Sequence, residues 1–180
     1  MFERHEMGKV IFIMGDIAAG KSTYAKHLSS KYKMPFFLKD TFKEELSNSV
    51  GYIDRPSNRK LSEGVFLTMI EISKRLMEQN ISFILESNFR QEELNEYKKI
   101  VDEFKYDSIT IFLQGDMETI HKRYLERMDG RHETHMVVDL RKFEDFQKLI
   151  LETRKTIPFG KVVILDATNF DFYEQNILDI

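Results

Sequence analysis

The sequence predicts an α/β protein built on one parallel sheet with helices on both faces. Three observations carry that expectation. Short, wholly apolar runs alternate with longer segments whose apolar residues step by three and four, as buried parallel strands and their crossover helices do. The first apolar run leads into a glycine-bounded loop and then into helix-forming sequence. At 180 residues, with no repeat or low-complexity linker, the chain has the length of a single domain with one core.

Lys9 to Met14 is the first strand, an uninterrupted apolar run. It enters Gly15-Asp16-Ile17-Ala18-Ala19-Gly20-Lys21-Ser22, a complete GxxxxGKS phosphate-binding loop, followed by Thr23. A loop of this length with glycine at each end can wrap its backbone N–H groups around a phosphate at the positive end of the next helix. Residues Gly15 through Thr23 are therefore the expected nucleotide contacts, with Lys21 at the β and γ phosphates. Ser22 is placed to ligate Mg²⁺, a hard cation suited to oxygen ligands and phosphates. Tyr24, Ala25, Leu28 and Tyr32 make the inner stripe of the helix that follows.

Pro35 to Leu38 is the second strand, and Asp40 stands at its end. A carboxylate there can accept a proton from a substrate hydroxyl or hold Mg²⁺-bound water, or it can cap the following helix. Thr41 with Glu44 forms its own T-x-x-E capping box, so the cap need not use Asp40. Asn48 to Asn58, with Gly51, Arg55 and Pro56, has the composition of a loop between helices. Leu61, Val65, Met69, Ile72 and Leu76 then mark a long helix.

Ser82 to Leu85 is the third strand, ending in Glu86-Ser87-Asn88-Phe89-Arg90. Ser87 and Asn88 read best as caps of the next helix. Glu86 either pairs with a base such as Arg90 or reaches substrate or Mg²⁺-bound water, since an unpaired charge beside a buried strand is costly. Leu94, Tyr97, Val101 and Phe104 form the next helical stripe, Ser108 to Leu113 the fourth strand, and Met117, Ile120 and Tyr124 another stripe. Arg123, Arg127 and Arg131 follow at intervals of four and run into a glycine loop, where a closing segment can bring a guanidinium to transferring phosphoryl oxygens. Arg123 fits a solvated face equally well. His132 and His135 give only H-x-x-H, a weak metal signature in a chain without cysteine, and read better as lid histidines. Phe143, Phe146 and Ile150 precede the last strand, Lys161 to Leu165, and Asp171 to Leu178 is a short closing helix.

Composition narrows the rest. A net charge of −3 with interspersed signs gives no footprint for extended nucleic acid. The N-terminus has no targeting pattern and no stretch has membrane-span length, so a cytoplasmic protein without a membrane partner is expected, as a monomer or homodimer.

Together these residues resemble the small-molecule kinase branch of the P-loop NTPase fold. The likeness is greatest to zeta-toxin-like and chloramphenicol-phosphotransferase-like kinases, with gluconate, shikimate and adenylate kinases more distant. It rests on Gly15 to Ser22, Lys39 to Lys43, Glu86 to Phe89, Arg127 to His135 and Asp166-Ala-Thr168, and covers most of the chain. The resemblance implies a three-layer fold with a five-stranded parallel sheet in the order 2-3-1-4-5, helices on both faces and a short lid. It implies a single domain over residues 1–180, with substrate bound by about residues 40–61 and a lid at about 127–138. It further implies ATP and Mg²⁺, with γ-phosphoryl transfer to a hydroxyl of a small molecule.

On that pattern Lys21, Asp40, Arg127 and Arg131 are the catalytic set, and Asp40 corresponds to the carboxylate that activates the acceptor. Arg127-Met-Asp-Gly130-Arg131 looks like the R-x-x-G-R opening of an adenylate-kinase lid, whose first arginine stacks on adenine and whose second meets the phosphates. Thr168 and Asn169 would lie near the adenine. Ser22 and Asp40 would serve the metal. Arg131-His-Glu-Thr-His135 departs from the R-H-P-G-H of many relatives, which bears on the two histidines. Lys43, Arg55, Arg59, Glu86 and Arg90 are candidate contacts of an anionic acceptor. Two other functions share the loop: an ATP-binding regulatory or ATPase module, disfavoured by the lack of NKxD and of a strand-end DxxG, and a kinase of nucleic-acid ends.

Overall fold

The computed structural model describes residues 8–51, 54–130 and 139–174. The predicted lid segment from Arg131 to His135, and the end of the predicted closing helix beyond Glu174, lie outside the described residues. In chain order the elements are β1 (Lys9–Gly15), α1 (Lys21–Tyr32), β2 (Phe36–Leu38), α2 (Lys39–Val50), α3 (Arg55–Glu78), β3 (Phe83–Glu86), α4 (Gln91–Phe104), β4 (Asp107–Gln114), α5 (Met117–Glu126), α6 (Phe143–Thr153) and β5 (Lys161–Asp166). Short 3-10 turns occupy Met128–Gly130 and Asp171–Glu174.

β1 takes the centre of the sheet because its two faces are both apolar and both covered. Val10, Phe12 and Met14 pack with Val65 and Met69 of α3 and Leu94 and Tyr97 of α4. Ile11 and Ile13, pointing the other way by the strand's period of two, pack with Tyr24, Ala25 and Leu28 of α1 and with Phe172. All the strands pair in parallel in the order β2-β3-β1-β4-β5, the three-layer P-loop NTPase architecture. The register sets Leu38 beside Glu86, Glu86 beside Ile13, Gly15 beside Leu113 and Gln114 beside Asp166. The carboxyl ends of the strands therefore form one rim, where ligands bind in sheets of this kind.

A third apolar cluster, Ile120 and Tyr124 of α5 with Leu140, Phe146 and Ile150, packs against Ile17 and Ala18 at the tip of the phosphate loop. The α5–α6 flank is thus braced on the loop itself.

Two expectations from the second strand require correction. α2 starts at Lys39 with Leu38 as its N-cap, so Asp40 stands in the first helical turn, and the Thr41–Glu44 box is not the cap. Lys39 explains the earlier start: its ammonium lies 2.5 Å from the buried carboxylate of Glu93 on α4 and pins that turn to its neighbour. The loop expected over Asn48 to Asn58 is also shorter. α2 runs to Val50 and α3 begins at Arg55, with Asp54 accepting from the Ser57 N–H at 2.8 Å as its N-cap. Among the described residues, no helix is long and apolar enough to cross a membrane.

Candidate active site

The phosphate loop leaves β1 through backbone that favours glycine. Gly15 has φ 126° and Gly20 φ 85°. A Cβ on Gly15 would lie 2.1 Å from the Leu113 carbonyl oxygen of β4, and one on Gly20 would lie 2.8 Å from the Phe170 ring. Glycine at both ends is therefore required by neighbours on either side as well as by the turn. Lys21 Nζ donates to the carbonyls of Gly15 at 3.2 Å and Asp16 at 2.7 Å, lying along the loop it belongs to.

Asp16 is buried with 0% exposure, an unusual place for a carboxylate in a loop meant for phosphates. Its side chain is turned inward. Arg154, just past the end of α6, donates from Nε at 3.1 Å and from Nη2 at 2.6 Å, and the Gly115 N–H donates at 3.0 Å. Arg154 also reaches the Gly115 carbonyl at 2.7 Å, tying loop, β4 and α6 together. This bidentate pair raises the guanidinium pKa further and consumes the carboxylate's charge inside the protein. Asp16 can serve nucleotide with its backbone, while its side chain is a clasp.

Facing the loop, the Ser22 hydroxyl donates to Glu86 Oε2 at 3.0 Å. Glu86 is 4% exposed, and burial pushes its carboxyl above the usual range, opposed by the ammonium of Lys21 and reinforced by Asp40. Glu86 does not pair with Arg90, whose guanidinium goes to Glu93 at 3.0 Å. Nor do Ser87 or Asn88 cap α4: the N-cap is Arg90, and Glu93 Oε2 accepts from its N–H at 3.1 Å. Glu93 thus holds Lys39, Arg90 and the start of α4 at once.

A cleft of about 930 Å³ runs along the strand rim. Its loop end is lined by Ile17, Ala18, Gly20, Lys21, Ser22 and Thr23, with Arg127 and Leu140 at the side. Its other end is lined by Lys39, Asp40 and Lys43 of α2, by Pro56, Asn58, Arg59 and Ser62 of α3, and by Arg90, while Glu86 lies between. One cleft therefore gathers Lys21, Ser22, Asp40, Arg127, Lys43, Arg59, Glu86 and Arg90 from the sequence candidates. Arg131 lies outside the described residues, as does the side chain of Arg55.

The adenine-side candidates take a structural form. Thr168 Oγ1 accepts from the Asp116 N–H at 3.0 Å, and the Thr168 N–H donates to Asp166 at 2.8 Å. Arg123 is neither a solvated face nor a lid group. It donates to the carbonyls of Ala167 at 2.7 Å and Thr168 at 2.5 Å, and its guanidinium stands 4.0 Å from the Phe170 ring centre, over the ring that backs Gly20.

Sequence reading misses Lys39, Arg154 and Phe170. Lys39 has a signal, since Lys39, Lys43 and Ser47 are spaced by four. Arg154 has none, because 138 residues separate it from Asp16.

The residues fit a phosphate-bound divalent cation. Among the described residues, no three His, Asp or Glu side chains converge into a metal cluster. A cation at Ser22 and Glu86 would therefore take its remaining ligands from phosphate oxygens and water, the habit of Mg²⁺.

No protein-family model matches the chain, and no curated protein matches it in sequence. Solved structures do match in fold. A kinase candidate from Chloroflexus aurantiacus is 23% identical with TM-score 0.77, covering 91% of this chain and 90% of that one. A shikimate kinase from Aquifex aeolicus is 21% identical with TM-score 0.54, covering 88% and 85%, and a sugar kinase from Janibacter is 16% identical with TM-score 0.55, covering 89% and 86%. The chain has the fold of the P-loop small-molecule kinases.

Proposed function

We propose that the protein is an ATP-dependent phosphotransferase that moves the γ-phosphoryl group to a hydroxyl of a small molecule. The observation that carries this reading is the shared cleft. A phosphate loop and a carboxylate on a separate helix face one space of about 930 Å³, room for a second substrate beside the nucleotide. A switch or a simple hydrolase needs no such space.

The roles follow from position. The loop backbone from Gly15 to Thr23 cradles the phosphates, and Lys21 leaves its carbonyl partners to meet their charge. Ser22 and Glu86 would hold Mg²⁺, with Asp40 lining the same cleft as a further oxygen ligand for its bound water. Mg²⁺ bound there would neutralise charge on the phosphate oxygens. Asp40 accepts the proton of the acceptor hydroxyl as it attacks, and orients that hydroxyl in the first turn of α2. Arg127, exposed at the cleft wall, supplies a cation on the nucleotide side, with Arg131 as its partner from the lid. Arg123 and Thr168 act indirectly, fixing the Ala167–Phe170 segment behind Gly20.

A panel of neutral polyols, sugar acids, sugar phosphates, nucleosides and short oligonucleotides tests the reading. ADP release with ATP and Mg²⁺ is expected to rise with one class of hydroxyl compound. ATP binding with no acceptor stimulation in any class would favour the regulatory module, and stimulation by oligonucleotide ends alone would favour the nucleic-acid-end kinase.

A further inference from the structure

We infer that two copies of the chain pair edge to edge through β5, antiparallel about a two-fold axis at Val163. The two edges of the sheet differ. β2, at one edge, is three residues long and half-buried throughout. β5, at the other, is six residues long, and among the described residues it has a strand neighbour only in β4. Open edges are usually protected by charges, prolines or bulges. β5 has none of these from Val162 to Leu165, where the sequence is Val-Val-Ile-Leu in unbroken register with β4. Val163 and Leu165 turn toward the cluster of Ile11, Ile13 and Tyr24. Val162 at 43% exposure and Ile164 at 63% lie bare on the opposite face.

The backbone points to the same partner. The Ala167 N–H donates to the Gln114 carbonyl of β4 at 2.7 Å. Residues of a parallel ladder face a given neighbour alternately, so Val163 and Leu165 serve β4, and the N–H and C=O of Val162 and Ile164 face the open edge. Another strand satisfies those groups, and an apolar ligand does not. The sequence of β5 is complementary to itself. A two-fold pairing within one sheet must set one residue opposite its own copy, because a one-residue slip turns side chains to the wrong face. With Val163 on the axis, Val162 of each copy stands opposite Ile164 of the other, and each such pair closes two N–H···O=C bonds. The four exposed aliphatic side chains then form one strip. Lys161, which opens each strand, comes next to the Asp166 end of the other, so opposite charges meet on both sides of the axis. Centring the pair on Ile164 would instead set Val162 against a carboxylate. Both copies use the same edge, so the assembly closes at two. β5 runs on into the Ala167–Phe170 segment behind Gly20, and the joined edge anchors the strand that carries it.

The test is sedimentation equilibrium of the full chain over a range of concentrations. Wild type is expected to pass from 21.4 kDa to twice that mass as concentration rises. Val162→Lys and Ile164→Lys each place a charge in the strip and should weaken self-association about tenfold or more. Both side chains are exposed, so circular dichroism should show the fold unchanged. The register is read by cross-linking, in a chain that has no cysteine of its own. Val163→Cys sets two thiols opposite each other in a non-hydrogen-bonded pair, whose Cα atoms are about 4.5 Å apart and within reach of a disulfide. Oxidation should give a covalent dimer with Val163→Cys and not with Ile164→Cys. A monomer at every concentration overturns the inference, whatever else then covers the edge, as does a dimer indifferent to both lysine substitutions. A dimer linked through Ile164→Cys and not through Val163→Cys overturns the pairing about Val163.

Discussion

At the phosphate-loop end of the cleft, the buried carboxylate of Asp16 is answered inside the protein, by Arg154 and the Gly115 N–H. At the α2 end, buried Lys39 is answered by Glu93 on a neighbouring helix, and Lys43, Arg59 and Arg90 line the cleft with Asp40 and Glu86. The loop end is closed by contacts within one clasp, whereas the α2 end is built from side chains of several elements that open onto the cleft. Rigidity belongs where the ligand is fixed, because polyphosphate always presents the same charges to the same loop. On the proposed function, selectivity belongs at the α2 end, where side chains from several elements can be varied without disturbing the loop.

Substitutions can break or sharpen that contrast. The largest effect is expected for Asp40→Asn, which should lower turnover about 10²–10⁴-fold as a lost general base. ATP affinity, measured by direct titration, should stay within about threefold, because Asp40 belongs to the acceptor end. Equal loss of both would make Asp40 a structural residue and erase the division.

Next comes Arg154→Gln, which leaves the Asp16 carboxylate buried without its partner. Breaking such a pair costs about 3 kcal/mol in urea unfolding. Adding Asp16→Asn should restore most of it, since the burden is the orphaned charge. A double variant no better than the single would show that Arg154 acts through packing of α6 and not through the clasp.

Glu86→Gln should move stability the opposite way. The native carboxyl is raised by burial, so between the ordinary glutamate range and the native value the folded state holds more protons than the unfolded. Stability of the metal-free protein therefore falls as pH rises through that window. At pH 8 the glutamine variant should melt about 2–4 °C higher while losing Mg²⁺-dependent activity. A lower melting temperature would mean that Glu86 is a stabilising partner of Ser22 and not a group held ready for a cation.

The smallest effect is expected at Val50→Gln. Val50 is 62% exposed on the outer side of α2, and the change should stay within about 0.5 kcal/mol by urea unfolding. A larger loss would mean that the outer face of α2 packs against something.

The two ends also differ in how far they can be read from sequence. Gly15 to Ser22 are consecutive, so the chemistry of the loop survives in one dimension, and the apolar run before it announces the central strand. The five strands follow because each is an apolar run between helical stripes. The acceptor end is assembled from α2, α3 and α4 by tertiary contacts. The Thr41–Glu44 box matches a cap pattern, yet the helix starts three residues earlier, with Leu38 as its N-cap, because a glutamate on another helix holds Lys39. In sequence Glu86 reads either as a partner of Arg90 or as a contact of substrate or Mg²⁺-bound water, and only β3 set beside β1 brings it to Ser22. Arg123 looks like part of a charge run until β5 delivers the carbonyls it binds.

The central claim is that one cleft holds both the donor and the acceptor of a phosphoryl group. It is tested most directly by following the label from [γ-³²P]ATP with Mg²⁺ and a panel of hydroxy acids, sugar phosphates and neutral polyols. The expected product is a labelled phosphomonoester of one class of acceptor, lost in Asp40→Asn. Label appearing in inorganic phosphate at the same rate with and without every acceptor would contradict the claim.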